Sequence, residues 1–504
     1  AKSDLGDYEG AITDYTKAIE LDPKFSDAYN GRGNAKSDLG DYEGAITDYT
    51  KAIELDPKFS DAYNGRGNAK SDLGDYEGAI TDYTKAIVRD PKFKDAYNGR
   101  GIAKENLGDF EGAIKDYTKA IKLDRKNTSA YYNRGNAKLK LRDNEGAIKD
   151  YTKVIELDPK YSYAYGNRGQ AKANLGDNEG AIEDYTKAIE LDPKDIYVYF
   201  IRGIAKEDLG DYEGVINDYT KVLELNPKEN NAYFKRGIAK EKLSDYEGAI
   251  KDFTMAIELD PKTSYTYVER GNAKDDLGDY EGAIKDFTIA IELDPKYTYA
   301  YQSRGITKTN LCDYEGAIKD YTKAIELDPN YKYLYYFRGI AKEELTDYEG
   351  AIKDYTEEIE LDPKFIDAYN ERGNAKLKLR DNEGAIKDYT KAIELDPNYS
   401  YAYNNRGLAK ANLGDYEGAI KDYTKAIELD PNYSYAYSNR SVSKENLKDF
   451  KGAKEDYKKA IALDPDNELA KKNFENLENR GYKKYFRKIF KWKMQINYYE
   501  KQYQ

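Results

Sequence analysis

Apolar positions recur along this chain at helical intervals in two alternating blocks, and the punctuation between the blocks is fixed. From Asp61 to Leu73, Ala62, Ala69 and Leu73 fall at helical spacing, and Gly74 follows as a stop. Asp75 then occupies an N-cap position. Beyond it Tyr76, Ala79, Ile80, Tyr83, Ala86 and Ile87 form an i, i+3, i+4, i+7 stripe, with Glu77 in the first turn and Pro91 just past the end. The pattern predicts helix, tight turn, helix, tight turn.

This block is a repeat. The 13 prolines run from Pro23 to Pro465 at a spacing of 34 residues, with one gap filled in register by Arg125. Residues 1–34 recur unchanged as 35–68, and Asn136 to Tyr165 reappears almost unchanged as Asn374 to Tyr403, so array length has changed by whole units. A period of 34 lies in the range of solenoids, whose units bury their apolar faces only against neighbours. The expected organisation is a partial unit over 1–25, thirteen contiguous units over 26–467, and a capping helix with a basic aromatic extension over 468–504.

The unit resembles a tetratricopeptide repeat. Tyr63, Arg66-Gly67, Lys70, Ala79, Tyr83 and Pro91 stand at the family's characteristic places, although Arg replaces the usual Leu and Lys the second Tyr in every full unit. The resemblance implies an all-α, right-handed superhelical solenoid of antiparallel helix pairs. It also implies a concave channel lined by the first helices and a role in protein-protein recognition.

Comparing units with one another separates scaffold from candidate binding positions. The series from Tyr29 to Tyr437 and from Leu39 to Leu447 never vary, and both are expected on the packed side of the first helix. The invariant Arg32 to Arg440 series lies between them. A guanidinium buried there needs a partner, and the equally invariant Asp48 to Asp456 series supplies one, so a ladder of Arg–Asp pairs is expected.

The second, fifth, ninth and twelfth places of the unit lie within about 80° of one another on the opposite face, and there the sequence varies. Asp27, Asp61 and Asp95 open the second-place series and make an acidic end suited to a basic segment. Tyr163, Tyr197, Tyr265, Tyr299, Tyr333, Tyr401 and Tyr435 continue it, with Tyr132, Phe200, Phe234 and Tyr336 at the fifth place. Tyrosine offers contact area with little rotamer entropy to lose, so this channel is expected to hold an extended peptide or a partner helix. The competing reading is that the rings only stack on neighbouring units. Some relatives grip a C-terminal carboxylate with paired Lys and Asn in the channel; Asn34 and Asn68 match, but the fifth place never carries Lys, which argues against that clamp.

Composition narrows the chemistry further. There is no histidine, so no imidazole serves as base, shuttle or metal ligand, and the single Cys312 allows neither an intramolecular disulfide nor a thiolate cluster. Cys312 stands, like Ser244, Thr346 and Lys448, where other units have a turn glycine. No phosphate-loop motif or asymmetric catalytic constellation is found, so neither enzyme activity nor a cofactor, metal or small-molecule substrate is expected. A formal charge of −13 argues against nucleic acid as the partner of the whole array. The last 37 residues reverse that sign with ten basic and four acidic side chains. Lys483, Lys484, Arg487, Lys488, Lys491 and Lys493, interleaved with aromatics, suggest a contact with an anionic membrane or an acidic partner. The chain opens at Ala1 partway through a unit and is expected to be truncated there, which leaves the compartment open with the cytoplasm favoured. Two further readings remain: a substrate-recruiting arm of an enzyme whose catalytic part lies upstream, and a structural spacer tethered by the basic end.

Overall fold

A computed structural model describes residues 7–479. Among them there is no strand, and helices α1 (Tyr8–Leu21) to α27 (Phe450–Leu463) are numbered in chain order, with a further helical stretch over 468–479. Even numbers are the first helices of each pair. In the compact unit spanning 1–259 these are α2 (Ser26–Asp38), α4 (Ser60–Asp72), α6 (Lys94–Asn106), α8 (Thr128–Lys140), α10 (Ser162–Ala173), α12 (Ile196–Asp208) and α14 (Asn230–Lys242). In the compact unit that begins at residue 260 they are α16 (Ser264–Asp276), α18 (Thr298–Asn310), α20 (Leu334–Glu344), α22 (Ile366–Lys378), α24 (Ser400–Asn412) and α26 (Ser434–Asn446). Within each unit every helix packs on its sequence neighbours, giving an all-α solenoid of antiparallel pairs.

The helix ends follow from the punctuation. Asp75 caps α5 (Tyr76–Arg89) by accepting the N–H of Gly78 at 2.9 Å, and Asp41 does the same for α3 (Tyr42–Leu55) through Gly44. After α3, Asp56 accepts the Lys58 N–H at 2.9 Å and folds the turn around Pro57. First helices other than α10, whose C-cap is Asn174, stop at the Leu series; Leu73 is the C-cap of α4 and Gly74 takes φ +82°. This corrects the expected burial of the Leu series. Because the helix ends one residue earlier, at Asp72, Leu73 turns off the packed face, and Leu39, Leu73 and Leu107 are each about half exposed. Non-glycine residues hold the same left-handed position at Arg142, Ser244, Cys312, Thr346, Arg380 and Lys448.

Alanines and one aromatic per second helix make the core. Tyr49 is 2 % exposed, and its ring lies against Gly33 and Gly65, where an added Cβ would come within 2.8 and 2.6 Å of it. Beside this seam runs the expected ladder. Arg66 donates from Nε and Nη2 to both oxygens of Asp82 at 2.9 and 2.7 Å, and from Nη1 to Thr50 of the preceding pair at 3.0 Å. The arrangement recurs from Arg32 and Asp48 to Arg440 and Asp456. Burial pushes the Asp82 carboxyl up, but hydrogen bonds from Arg66 and Lys70 outweigh it and hold the group below its ordinary value. At the far end, 468–479 covers α27, with Ala470 and Leu477 buried against Ala453, Tyr457 and Ala460.

Candidate functional site

Within each compact unit the first helices of successive pairs lie side by side: α2 on α4 on α6 on α8 in one, α18 on α20 on α22 on α24 in the other. Second helices make no comparably close approach to one another, so the first helices form one continuous face of each unit. The second, fifth, ninth and twelfth places lie on it at different depths.

The second-place tyrosines stand proud of this surface. Tyr163, Tyr197, Tyr401 and Tyr435 are 56–61 % exposed, and Tyr265, Tyr299 and Tyr333 are 37–42 % exposed. Several touch another ring edge-on or tilted, such as Tyr163 with Tyr161 at 6.4 Å and Tyr401 with Tyr433 of the following pair at 5.2 Å. Stacking therefore positions part of each ring and leaves the rest in solvent.

The fifth-place aromatics form the floor instead. Phe200 packs on Tyr219 at 5.3 Å, Phe234 on Phe253 at 5.8 Å, Tyr132 on Tyr151 at 6.0 Å and Tyr336 on Tyr355 at 5.9 Å, each against the aromatic of its own second helix. They are partly buried.

At the ninth and twelfth places the structure shows a relationship that sequence reasoning missed. In several pairs the buried second-helix tyrosine sends its hydroxyl through the layer of first helices to one of these two places, whereas the Tyr219 hydroxyl is buried without a partner. Asn34, Asn68, Asn136 and Asn374 accept from Tyr49, Tyr83, Tyr151 and Tyr389 at 2.7–2.8 Å. Beside Ile102 and Ile340 the twelfth place supplies Glu105 or Glu343, which accept from Tyr117 and Tyr355 at 2.8 and 2.9 Å; beside Ile204 the corresponding Glu207 pairs with Lys235 instead. The signal was in the sequence as a covariation between two places three residues apart. Burial raises the carboxyls of Glu105 and Glu343 above the ordinary carboxylate range, against the opposing hydrogen bonds from the tyrosines.

The acidic end is an open concavity of about 680 Å³ on α2, α4 and α6. Asp27, Asp61 and Asp95 line it together with Asn30, Asn64, Asp38 and the Tyr49 ring. A different irregularity lies in α20. Glu358, fully buried where other second helices have Ala or Val, accepts from the Tyr333 and Tyr336 N–H groups at 2.9 and 3.4 Å, and Tyr333 sits at φ +69°. The helix therefore starts at Leu334, later in its repeat than its counterparts.

The basic patch of Lys483, Lys484, Arg487, Lys488, Lys491 and Lys493 lies outside the described residues. Among the described residues no group of His, Cys, Asp or Glu could hold a metal ion, and no helix is long and apolar enough to cross a membrane.

Family models described as tetratricopeptide repeat match residues 128–161, 162–195, 231–263, 298–331, 366–399 and 400–433, residues 196–229, 264–297 and 333–365, and residues 434–467. A related TPR repeat model matches 2–40, 33–74, 67–108 and 106–142. No curated protein matches the chain. Among solved structures it is similar to YrrB, a TPR protein with an unusual peptide-binding site, at 27 % identity over 36 % of this chain and 95 % of that one, TM-score 0.34. It is similar to the Cut9–Hcn1 APC/C hetero-tetramer at 16 % identity over 94 % of each chain, TM-score 0.37. A third likeness is the C-terminal part of a TPR repeat-containing protein from Cytophaga hutchinsonii, at 21 % identity over 47 % of this chain and 97 % of that one, TM-score 0.43.

Proposed function

The chain belongs to the tetratricopeptide repeat family, and from that premise we propose that it is a non-enzymatic protein-interaction scaffold holding an extended peptide or partner helix along its first helices. The observation that carries the reading is the row of second-place tyrosines left largely in solvent on α10, α12, α24 and α26. Placed singly, each is an ordinary exposed side chain; in register within each compact unit, Tyr163 with Tyr197 and Tyr401 with Tyr435, they offer repeated modest contacts to a ligand. The rings at the fifth place give the floor, and the acidic concavity orients a ligand that is basic at one end.

Selection of random displayed peptides on the full chain tests this. Ligands are expected to emerge whose affinity falls about tenfold or more when Tyr163, Tyr197, Tyr401 and Tyr435 are changed to Ser together, with helicity unchanged. Ligands indifferent to those changes overturn the channel reading. The basic patch from Lys483 to Lys493 is proposed as a second contact, for an anionic membrane surface, on its charge alone. Vesicle sedimentation of the full chain and of a chain ending at residue 479 checks that contact; equal pelleting with anionic lipid removes it.

A further inference from the structure

The channel carries one acceptor arrangement four times. Asp stands at the second place at Asp27, Asp61, Asp95 and Asp367, and each time Asn follows three residues later on the same helical face. Those four asparagines, Asn30, Asn64, Asn98 and Asn370, are the ones whose Oδ1 is buried without a hydrogen-bond partner. Asn404, behind Tyr401, occupies the same place, but its Oδ1 accepts from Asn439 at 3.0 Å. The orphan acceptor thus goes with the acidic neighbour. A buried acceptor left unpaired is costly unless something else supplies its donor.

Asn370 shows the arrangement most completely. It is 5 % exposed, and its Nδ2 donates to Glu371 at 3.0 Å, which fixes the amide and leaves Oδ1 as the free acceptor. Burial pushes the Tyr336 hydroxyl upward, and the charges of Glu371 and Asp367 on α22 and of Glu343 on α20 add to the shift. Among the described residues none of the three carboxylates is in an ion pair; Glu343 has only the more distant influence of Lys378. Tyr336 lies edge-on to Phe365 at 4.9 Å, and Tyr399, packed in the same cluster, donates its hydroxyl to Asp367 at 3.2 Å. The surroundings are aromatic walls and acceptors.

We propose, building on the channel reading above, that Asp367, Glu371 and Asn370 form a receptor for an arginine side chain of the bound peptide, and that the three Asp–Asn pairs of α2, α4 and α6, where Gly31, Gly65 and Gly99 replace the Glu, repeat its Asp and Asn. A guanidinium brings five donors and no acceptor, which matches a site of carboxylates over a bare carbonyl oxygen. It is planar, more weakly hydrated than an ammonium, and packs flat on tyrosine, so Tyr336 and Tyr399 favour Arg over Lys. A backbone segment suits the site less well, because every N–H it brings comes with a carbonyl that meets the carboxylates. The ligand is accordingly an arginine-bearing peptide, taken by the 680 Å³ concavity in one compact unit and, separately, by the receptor on α22 in the other.

Fluorescence anisotropy on the full chain tests this with labelled (Arg-Gly-Ser)3 and its Lys and citrulline counterparts. The Arg peptide is expected to bind best, Lys more weakly, and neutral citrulline not measurably. Changing Asp27, Asp61 and Asp95 to Asn should weaken the Arg peptide about tenfold, and adding Asp367→Asn with Glu371→Gln should remove most of what remains. A charge-matched control, Glu54→Gln with Glu156→Gln and Glu190→Gln on the outer face, should change affinity less than about twofold. On the background lacking the first three Asp residues, Asn370→Leu should weaken the Arg peptide while leaving the thermal midpoint unchanged or higher, which a merely structural amide would not do. Equal losses in the control mean bulk charge only and overturn the proposal, as does equal binding of citrulline. If selected channel ligands depend on the second-place tyrosines but not on these Asp residues, the arginine receptor fails and the channel stands.

Discussion

Lys70 Nζ stands 2.8 Å from Asp82 Oδ2, on the same carboxylate that Arg66 holds through both oxygens. One buried anion therefore balances two cations of the first helix, spaced one turn apart. This accounts together for both departures from the usual family pattern, Arg for Leu and Lys for Tyr. The same three-way contact joins Arg270, Lys274 and Asp286, with Asp286 2 % exposed.

Removing the arginine should be expensive. Arg270→Met leaves Asp286 with Lys274 alone in a buried setting, and a loss of about 3–5 kcal/mol is expected. Because a solenoid unfolds by neighbouring units, the loss should appear locally, as faster amide exchange in α16 and α17 (Tyr280–Leu293) and a lower midpoint in urea. An unchanged midpoint with unchanged exchange there excludes a structural role for the ladder. The triple change Arg270→Met, Lys274→Met, Asp286→Leu should be milder than the single one, since no charge remains stranded.

The hydroxyl of Tyr117 has its partner in Glu105, whereas Tyr151 has Asn136. Glu105→Leu should cost about 1–3 kcal/mol by stranding that hydroxyl. Adding Ile102→Asn imports the arrangement of Asn136 and Leu139 and should restore most of the loss, measured by urea unfolding. Their pH dependence should differ as well. Burial raises the Glu105 carboxyl, so folding takes up a proton in the window above its ordinary value of 4.5. The wild-type chain should then gain stability relative to the double variant as pH falls from 7 towards 5, and that gain should level off below the ordinary value. A difference independent of pH over that range contradicts the assignment.

The repeat period, the helix pairs and the Arg–Asp ladder were legible because each depends on residues at a constant offset. What escaped depends on depth and on where a helix stops. A helical wheel gives Tyr163 and Phe200 neighbouring azimuths on the channel face, yet Tyr163 is 59 % exposed and Phe200 lies on Tyr219. The wheel has no radial coordinate. It also continued the first helix through Leu73, one residue past its end at Asp72, and so misplaced the Leu series. Lys70 looked like a substitution because constancy shows that a residue matters without showing what it bonds. Glu358 was a single departure among small residues, visible in sequence but silent about the backbone N–H groups it caps.

Cys312 takes φ +60° at the end of α18, where Gly278 and Gly414 hold φ +87° and +83° in their own turns. A side chain in this region costs about 1 kcal/mol, so Cys312→Gly should stabilise the compact unit by roughly that amount despite the greater freedom of glycine when unfolded. Thermal unfolding should move up. A drop in midpoint means that Cys312 contributes a contact outweighing the strain.

Tyr401 and Tyr336 separate binding from stability. Both lie on the first-helix face, but Tyr401 is 56 % exposed and meets Tyr433 in a tilted contact, whereas Tyr336 packs between Tyr355 and Phe365 at 5.9 and 4.9 Å. Tyr401→Ser should leave stability within about 0.5 kcal/mol, as surface changes do. Tyr336→Ser removes a ring from a packed cluster and should cost about 3 kcal/mol or more, by analogy with other large-to-small aromatic changes. Peptide affinity should fall in both variants. The informative ratio is affinity lost per unit of stability lost, high for Tyr401 and low for Tyr336, read from anisotropy and urea unfolding of the same preparations. If Tyr401→Ser changes neither quantity, its ring is idle surface, and the second-place series loses its claim to the ligand.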